Sequence, residues 1–508
     1  MNTIKNIAVR AISIGATALF LVNFSWAAIP IEHWTQASGA QVYLVQSAAI
    51  PMVDVQLDFD AGSRRDPPDQ AGLASVTAAM ASKGVRAGTL PTETAMDENA
   101  LGEAWADLGA SFGAHATSDR MSFALRSLTY PDLLAKVVQL AARQLAEPSF
   151  PADVWLRERD AMQAAIREAD TRPATIAGRA FNQAVYGSHP YGFEATQASL
   201  ARIEAAQMAA LYRQLILPCR AKVTVVGALN RAQADQLVAQ LLGRLSAGSG
   251  RPQPGMRANA PAEVTANHVN TDTGKTGTSN TNANANANAN GNGNGNGNGN
   301  GNAATCPALP PVAEVAPLQK PSEAHIAFES AQAHVLLGQP GFKRDDPDYF
   351  ALTVGNYILG GGGFVSRLTE EVREKRGLSY SVYSDFAPAL HAGAFTIGLQ
   401  TRPDQADQAL QVSRDVLARF VADGPTEAEL KAAKDNLMGG FALRIDSNRK
   451  LLGNVANIAW NNLPLTYLDS WTQQIEKVSA ADIRAAFQRK LQPHTMATVV
   501  LGGAPAKP

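Results

Sequence analysis

One stretch of the sequence dictates how the chain must be divided. Between Ser246 and Pro311 the composition collapses into Asn, Ala, Gly, Thr and Pro, and an alternating Asn-Ala and Asn-Gly tract runs from Asn282 to Asn302. Such residues carry almost no apolar surface, so nothing offsets the entropy lost on ordering them. The segment 246–311 is therefore expected to be a disordered linker, with a random-coil reach on the order of 45 Å. Glycines interleaved with the Asn residues argue against an amyloid-like role for the tract.

The linker leaves two halves, each long enough to build its own core. With 508 residues, 45% of them hydrophobic, the chain exceeds the roughly 250–300 residues at which single cores stop growing. The halves end alike. In the first, an amphipathic helix from Ile203, with Met208 and Tyr212, stops at Leu217-Pro218, and the apolar strand Val223 to Val226 closes at Gly227. A shift of 275 residues puts Val478, Ile483, Phe487, Pro493 and Gly502 in the same places. Proline ends each helix and a buried strand follows.

Alternating patterns at Val53-Val55-Leu57 and Phe395-Ile397-Leu399 predict strands, and Pro131 to Ala146 and Pro425 to Leu443 predict helices. Each half thus reads as α+β. The expectation is two homologous lobes, 28–245 and 312–508, each a mainly antiparallel sheet covered by helices, facing one another across a cavity.

Charge and targeting signals narrow the setting. Forty-four Lys and Arg balance 45 Asp and Glu, which excludes the electrostatic footprint of a nucleic-acid or anionic-lipid binder. Residues 1–27 read as a cleaved signal peptide: Lys5 and Arg10 precede the apolar run Ala11 to Val22, and Ser25-Trp26-Ala27 offers a cleavage site. A retained anchor is the rival, although the run is shorter than the ~20 residues that span a bilayer. No later segment is long and apolar enough, so the mature chain is expected to be exported, periplasmic and without a transmembrane segment. The two cysteines, Cys219 and Cys306, form no disulfide framework or zinc site by spacing, and two unpaired thiols are the simpler expectation.

The first half contains Ala61-Gly62-Ser63-Arg64-Arg65-Asp66, then Gly72-Leu73-Ala74-Ser75-Val76-Thr77-Ala78-Ala79-Met80 and Lys83-Gly84. This resembles the start of the insulinase/pitrilysin-type (inverzincin) zinc peptidases, where H-x-x-E-H lies on a helix. In that motif two histidines on one helical face bind zinc and the glutamate acts as general base. Here Ser75, Ala78 and Ala79 stand in those places. Alanine has no lone pair for a metal, and a neutral hydroxyl is a poor zinc ligand. None of the eight histidines (33, 115, 189, 268, 325, 334, 391 and 494) lies at helical ligand spacing from another.

Other stretches extend the resemblance. Leu108 to Asp119 is similar to the family strand beside the active site, which implies substrate pairing along the backbone of Gly113, Ala114, His115 and Ala116; read alone, it is equally an ordinary half-buried strand. The segment Leu156 to Asp160 resembles the one that carries the family's third zinc ligand, matched by Glu158, although a solvated face of alternating charge also explains it. His189-Pro190-Tyr191-Gly192 resembles a family turn with no catalytic task.

The longest match is in the second half, from Leu359-Gly360-Gly361-Gly362-Gly363-Phe364-Val365-Ser366-Arg367-Leu368 through Glu371 to Val382. Its glycines free a loop, Ser366 can cap a helix, Gly377 can end it, and Leu378-Tyr380-Val382 alternates as a strand. The resemblance implies that Arg373 and Tyr380 donate to a substrate carbonyl across the cavity, with Gly361 and Gly362 near substrate. From spacing alone, Arg373 on a solvated helix face and Tyr380 packed in the sheet is the favoured reading, and the functional one rests on the long surrounding match.

Taken together, the resemblance implies a non-catalytic subunit without zinc of its own. Zinc is expected in a sister subunit that carries H-x-x-E-H, and peptides or unfolded polypeptides are the expected substrate. A non-proteolytic scaffold or peptide-binding protein of the same fold, and an active metallopeptidase with unorthodox ligands, are the alternatives.

Overall fold

A computed structural model describes residues 29–245 and 306–502. The expected signal peptide at 1–27 and residues 246–305 of the expected linker lie outside the described residues.

Short alternating apolar runs become the strands of two sheets. The first comprises β1 (Glu32–Thr35), β2 (Gln41–Gln46), β3 (Met52–Phe59), β6 (Ser111–Ala116), β7 (Met121–Leu128) and β8 (Lys222–Gly227), while β4 (Gly84–Val85) and β5 (Met96–Asp97) pair separately. The second comprises β9 (Ser322–Ile326), β10 (Ala333–Pro340), β11 (Ser381–Phe386), β12 (Ala394–Thr401) and β13 (Ala497–Leu501). The orders are β1-β2-β8-β3-β7-β6 and β11-β12-β10-β13-β9. Aligned on their last strands, β2-β8-β3-β7-β6 and β9-β13-β10-β12-β11 are one topology. Every pairing is antiparallel except β2 with β8 and β9 with β13, which are equivalent. The duplication legible in the two endings thus extends through both lobes, and the α+β architecture with mainly antiparallel sheets holds.

Each sheet buries aromatic anchors, including Phe59 and Phe123 in the first lobe and Phe395, Phe420 and Phe487 in the second. The lobes are not independent, because each lends a helix to the other. Helix Pro173–Tyr186 belongs by sequence to the first half but packs on β10 and β13. Its Ala177, Phe181 and Val185, four residues apart and so on one face, meet Ala394, Ala497, Val499 and Leu501. Gly338 makes the room, since a Cβ there would stand 2.7 Å from the Phe181 ring. In return, helix Asn448–Trp460 packs on β3 and β8.

The second exchanged helix is held at its C-terminus by first-lobe cations. Lys222 donates to the carbonyls of Ala459 (2.7 Å) and Trp460 (3.2 Å) and to Asn462 Oδ1 (2.7 Å). Arg120 lies over the Trp460 ring and pairs with the fully buried Asp58 at 3.0 Å. Positive charge is favourable at this end of a helix dipole. Burial pushes Lys222 down to about 8, against the opposing pull of Asp58.

A third contact closes the junction between lobes. The Tyr191 hydroxyl donates to Asp119 Oδ1 (2.6 Å) and accepts from the His391 backbone N–H (3.1 Å), while Leu390 N–H donates to Asp119 Oδ2 (3.1 Å). His189 Nδ1 accepts from Tyr191 N–H at 3.1 Å, and its Nε2 lies 3.0 Å from the Ala313 carbonyl oxygen. The turn His189 to Gly192, quoted above as lacking a catalytic task, therefore joins the lobes.

Three expectations need correction. Cys219 and Cys306 form a disulfide with Cα atoms 5.7 Å apart. Residues from Cys306 onward double back along the first lobe: Pro307 O accepts from Arg220 (2.6 Å), Pro310 O accepts from Arg65 (3.0 Å), and Leu309 packs against the core. Chain spacing carries no trace of that return path, and the strap occupies the last six residues of the expected linker. Second, the strand expected at Leu378 begins only at Ser381, because Gly377 ends the preceding helix and Ser379 turns the chain by bonding the Ser381 and Gln400 carbonyls. Third, the helix expected from Pro425 to Leu443 spans Glu427–Gly439 and gives way to a short turn at Phe441–Arg444.

Candidate functional site

The helix Leu73–Met80 carries the positions of the erased motif. Its N-terminus is held by the buried Asp66, whose carboxylate accepts from Gly72 N–H and Ala74 N–H, both at 2.9 Å. Burial pushes Asp66 up to about 7, opposed by these backbone donors. Ser75 is exposed, Ala79 half-buried and Ala78 buried in the core. The helix packs beside β6. That strand is the edge of its sheet, bonded only to β7, so one side of Gly113, Ala114, His115 and Ala116 is an open backbone ladder.

Glu158 lies on the helix Ala152–Ala169 and is already engaged. Lys83 Nζ stands 2.9 Å from Glu158 and 3.2 Å from Glu98, and Arg157 stands 2.6 Å from Glu98 and 3.1 Å from Glu158. The four side chains close a square of alternating charge. Lys83 and then Arg157 hold the Glu158 carboxyl below its ordinary range. The solvated face expected for Glu158 is thus a specific ion-pair network. These residues do not fit a zinc ion: two methyl groups, one hydroxyl and a carboxylate bonded to lysine are not a tetrahedral donor set. Among the described residues no group of three or more His, Cys, Asp or Glu is arranged to hold a metal.

The second lobe presents a different surface. Gly361 ends a π-type turn, Tyr357–Gly361, in which Gly362 N–H reaches the Tyr357 carbonyl at 2.8 Å. Gly360 is needed there, since a Cβ would lie 2.3 Å from the backbone nitrogen of Ser384 on β11. A second π-type turn, Thr369–Glu374, carries Arg373. It ends as expected at Gly377, with φ 61°. Gly377 N–H bonds the Arg373 carbonyl (2.8 Å), the bond of an αL helix ending, and Leu378 N–H reaches back to that of Val372 (2.9 Å). Ser366 Oγ bonds Gly363 O (2.8 Å) and Thr369 Oγ1 (3.0 Å) and so braces the loop. Such π-type insertions are frequent at functional sites.

Arg373 lays its guanidinium 4.7 Å from the centre of the Phe364 ring and pairs with Glu374 at 3.2 Å. Tyr380 is 89% exposed and lies outside β11, not packed in the sheet. Phe364 and Val365 are exposed beside the glycines at 73% and 69%. Gly361 is open and Gly362 half-buried. The structure therefore gathers the glycine loop, Phe364 and Arg373 in one lobe, and the motif helix, β6 and the Glu158 network in the other. Among the described residues no hydrogen bond joins Arg373 or Tyr380 to the first group. Sequence reasoning missed Phe364 as the platform for Arg373 and Lys83 as the partner of Glu158; a lone phenylalanine among glycines was the available signal for the first.

A duplicated α+β clam whose motif helix carries Ser75, Ala78 and Ala79 in place of zinc ligands defines a peptidase-like protein. Comparison with known proteins agrees. Residues 41–198 match the family model described as insulinase (peptidase family M16), and residues 289–437 match that of the peptidase M16 inactive domain. A solved structure described as a peptidase M16 inactive domain from Pseudomonas fluorescens superposes with a TM-score of 0.77 at 31% identity, covering 94% of this chain and 99% of that one. An uncharacterized zinc protease of Mycobacterium leprae is 26% identical over 474 residues, 92% of this chain and 90% of that protein. Another from Streptomyces coelicolor is 36% identical over 162 residues, so the matched part spans only 35% of its length. The chain belongs to the insulinase-type M16 peptidase family, as a non-catalytic member.

Proposed function

We propose that this chain is the exported, periplasmic, non-catalytic subunit of a heteromeric zinc peptidase. A sister subunit with an intact H-x-x-E-H supplies the zinc, and this chain supplies Arg373 and Tyr380 together with part of the peptide-binding surface. One observation carries the reading: two strong donors stand ready on a chain whose own motif helix has nothing for them to assist. Tyr380 is almost fully exposed, and Arg373 is steadied by Phe364 and Glu374. A guanidinium and a phenol aimed at a carbonyl oxygen stabilise the charge that develops there as the peptide bond is attacked.

The test is to co-purify the chain with a zinc-bearing sister and follow cleavage of quenched peptides. Arg373→Ala and Tyr380→Phe should each lower kcat about a hundredfold while the zinc content of the pair stays the same. Unchanged turnover in both variants, or cleavage by the isolated chain, defeats the proposal.

The open ladder of β6 favours a second reading, a peptide-binding protein that never cleaves. An extended peptide adds to such an edge through backbone bonds at Gly113 to Ala116. Peptide binding by the isolated chain, with no sister subunit recovered and no cleavage, would favour it.

A further inference from the structure

We infer that a separate pocket in the second lobe binds a small carboxylate attached to an apolar group. The pocket has a volume of about 210 Å³ and lies between the segment after β10, the turn Phe441–Arg444, the exchanged helix Asn448–Trp460 and the helix Tyr467–Lys477. None of the residues assigned to substrate or to the partner's site lines it.

Its charge is unbalanced. Arg344 and Arg444 both line the cavity, and no Asp or Glu does. Arg344 is only 8% exposed, yet its side chain meets no carboxylate among the described residues; it donates to the Tyr467 hydroxyl at 2.8 Å. The acids nearest in sequence are committed elsewhere: Asp346 to Lys490, Asp348 to Arg489 and Asp446 to Lys450. Asp345 is exposed and outside the lining. Buried charges are ordinarily paired, and stacking on aromatic rings relieves only part of the cost. Arg344 lies 3.9 Å from the Tyr349 ring centre and Arg444 lies 5.3 Å from that of Trp471.

The walls specify the ligand further. Phe441 stacks on Trp471 at 4.9 Å, and Tyr349 and Tyr467 add two more rings. Asn457 accepts from Asn461 through Oδ1, while its Nδ2 donates to no described group. Guanidinium forks match carboxylate geometry. Aromatic walls suit an uncharged flank rather than a dianion such as phosphate, and the volume admits a carboxylate with about one side chain. A free small acid and the terminus of a peptide share this chemistry.

Calorimetric titration of the full chain tests the inference. N-acetylphenylalanine should bind saturably, its amide at least tenfold more weakly, and inorganic phosphate more weakly than the acid. Arg444→Met and Arg344→Met should each weaken the acid at least tenfold. Arg444 is exposed, so an unchanged Tm in that variant shows that the loss is not unfolding. Equal binding of acid and amide, undiminished binding by Arg444→Met, or phosphate binding without acid binding overturns the inference. If N-acetyl-Ala-Ala-Ala-Phe binds as tightly as N-acetylphenylalanine, the pocket accepts chain termini; if it fails while the single residue binds, the ligand is a free small acid. Either result supports the pocket.

Discussion

The two lobes share a strand order and a reciprocal loan of helices, yet their equivalent functional surfaces are built in opposite ways. In the first, the helix Leu73–Met80 is regular, and Ala78 is absorbed into the core. In the second, the glycine segment is broken by two π-type turns and pushes Phe364, Val365 and Tyr380 into solvent. Sheet order and helix exchange answer to core burial, which both halves must satisfy. The loop surface answers to no such demand, so a chain can close one surface and keep the other open without altering its architecture.

The comparison can be strained from several sides. Both loans bury an apolar face against the other lobe, and the second is tied in addition by cations at a helix end. Phe181→Ala should therefore cost about 3–5 kcal/mol in denaturant unfolding, the largest effect. Lys222→Met should cost about 1.5–3 kcal/mol, since it removes charge-assisted bonds to the end of the second helix. Equal costs would mean that the loans are alike after all.

Rebuilding the first surface is a sharper trial. The triple change Ser75→His, Ala78→Glu, Ala79→His should recover only weak zinc binding, because Lys83 competes for Glu158. Adding Lys83→Ala should strengthen it by roughly tenfold, about 1.4 kcal/mol, read by metal competition. No gain from the Lys83 change would show that the ion-pair square is incidental.

The smallest effect is one of pH. Burial lowers the pKa of His189, and the neutral ring is the form that accepts the Tyr191 N–H. A histidine titrates near ~6.5 when unfolded, so the folded state takes up its proton later than the unfolded state does. Stability should hold above that pH and decline as pH falls below it. His189→Gln should flatten the decline, and an unchanged slope would remove His189 from the account.

Much of this arrangement was legible in the sequence because it rests on periodicity. The strands around Val55 and Ile397, the helix Pro131–Ala146 and the repeated endings follow from patterns of two and 3.6 residues. The stop at Gly377 was legible as well, since a left-handed turn demands glycine there. What the sequence withheld depends on distant partners. Nothing near Lys83 announces Glu158, nothing near Cys219 announces Cys306, and nothing in Pro173–Tyr186 says that its apolar face belongs to the other lobe. Periodicity specifies which face of a helix is buried, not which sheet buries it.

The loan of Pro173–Tyr186 sets a schedule for the newly made chain. The seat for Phe181 includes β13, Ala497–Leu501. A ribosome must add more than three hundred residues after Phe181 before that seat exists. Until then Ala177, Phe181 and Val185 are an uncovered apolar stripe, and the first half must wait, guarded against aggregation, for the second to be finished.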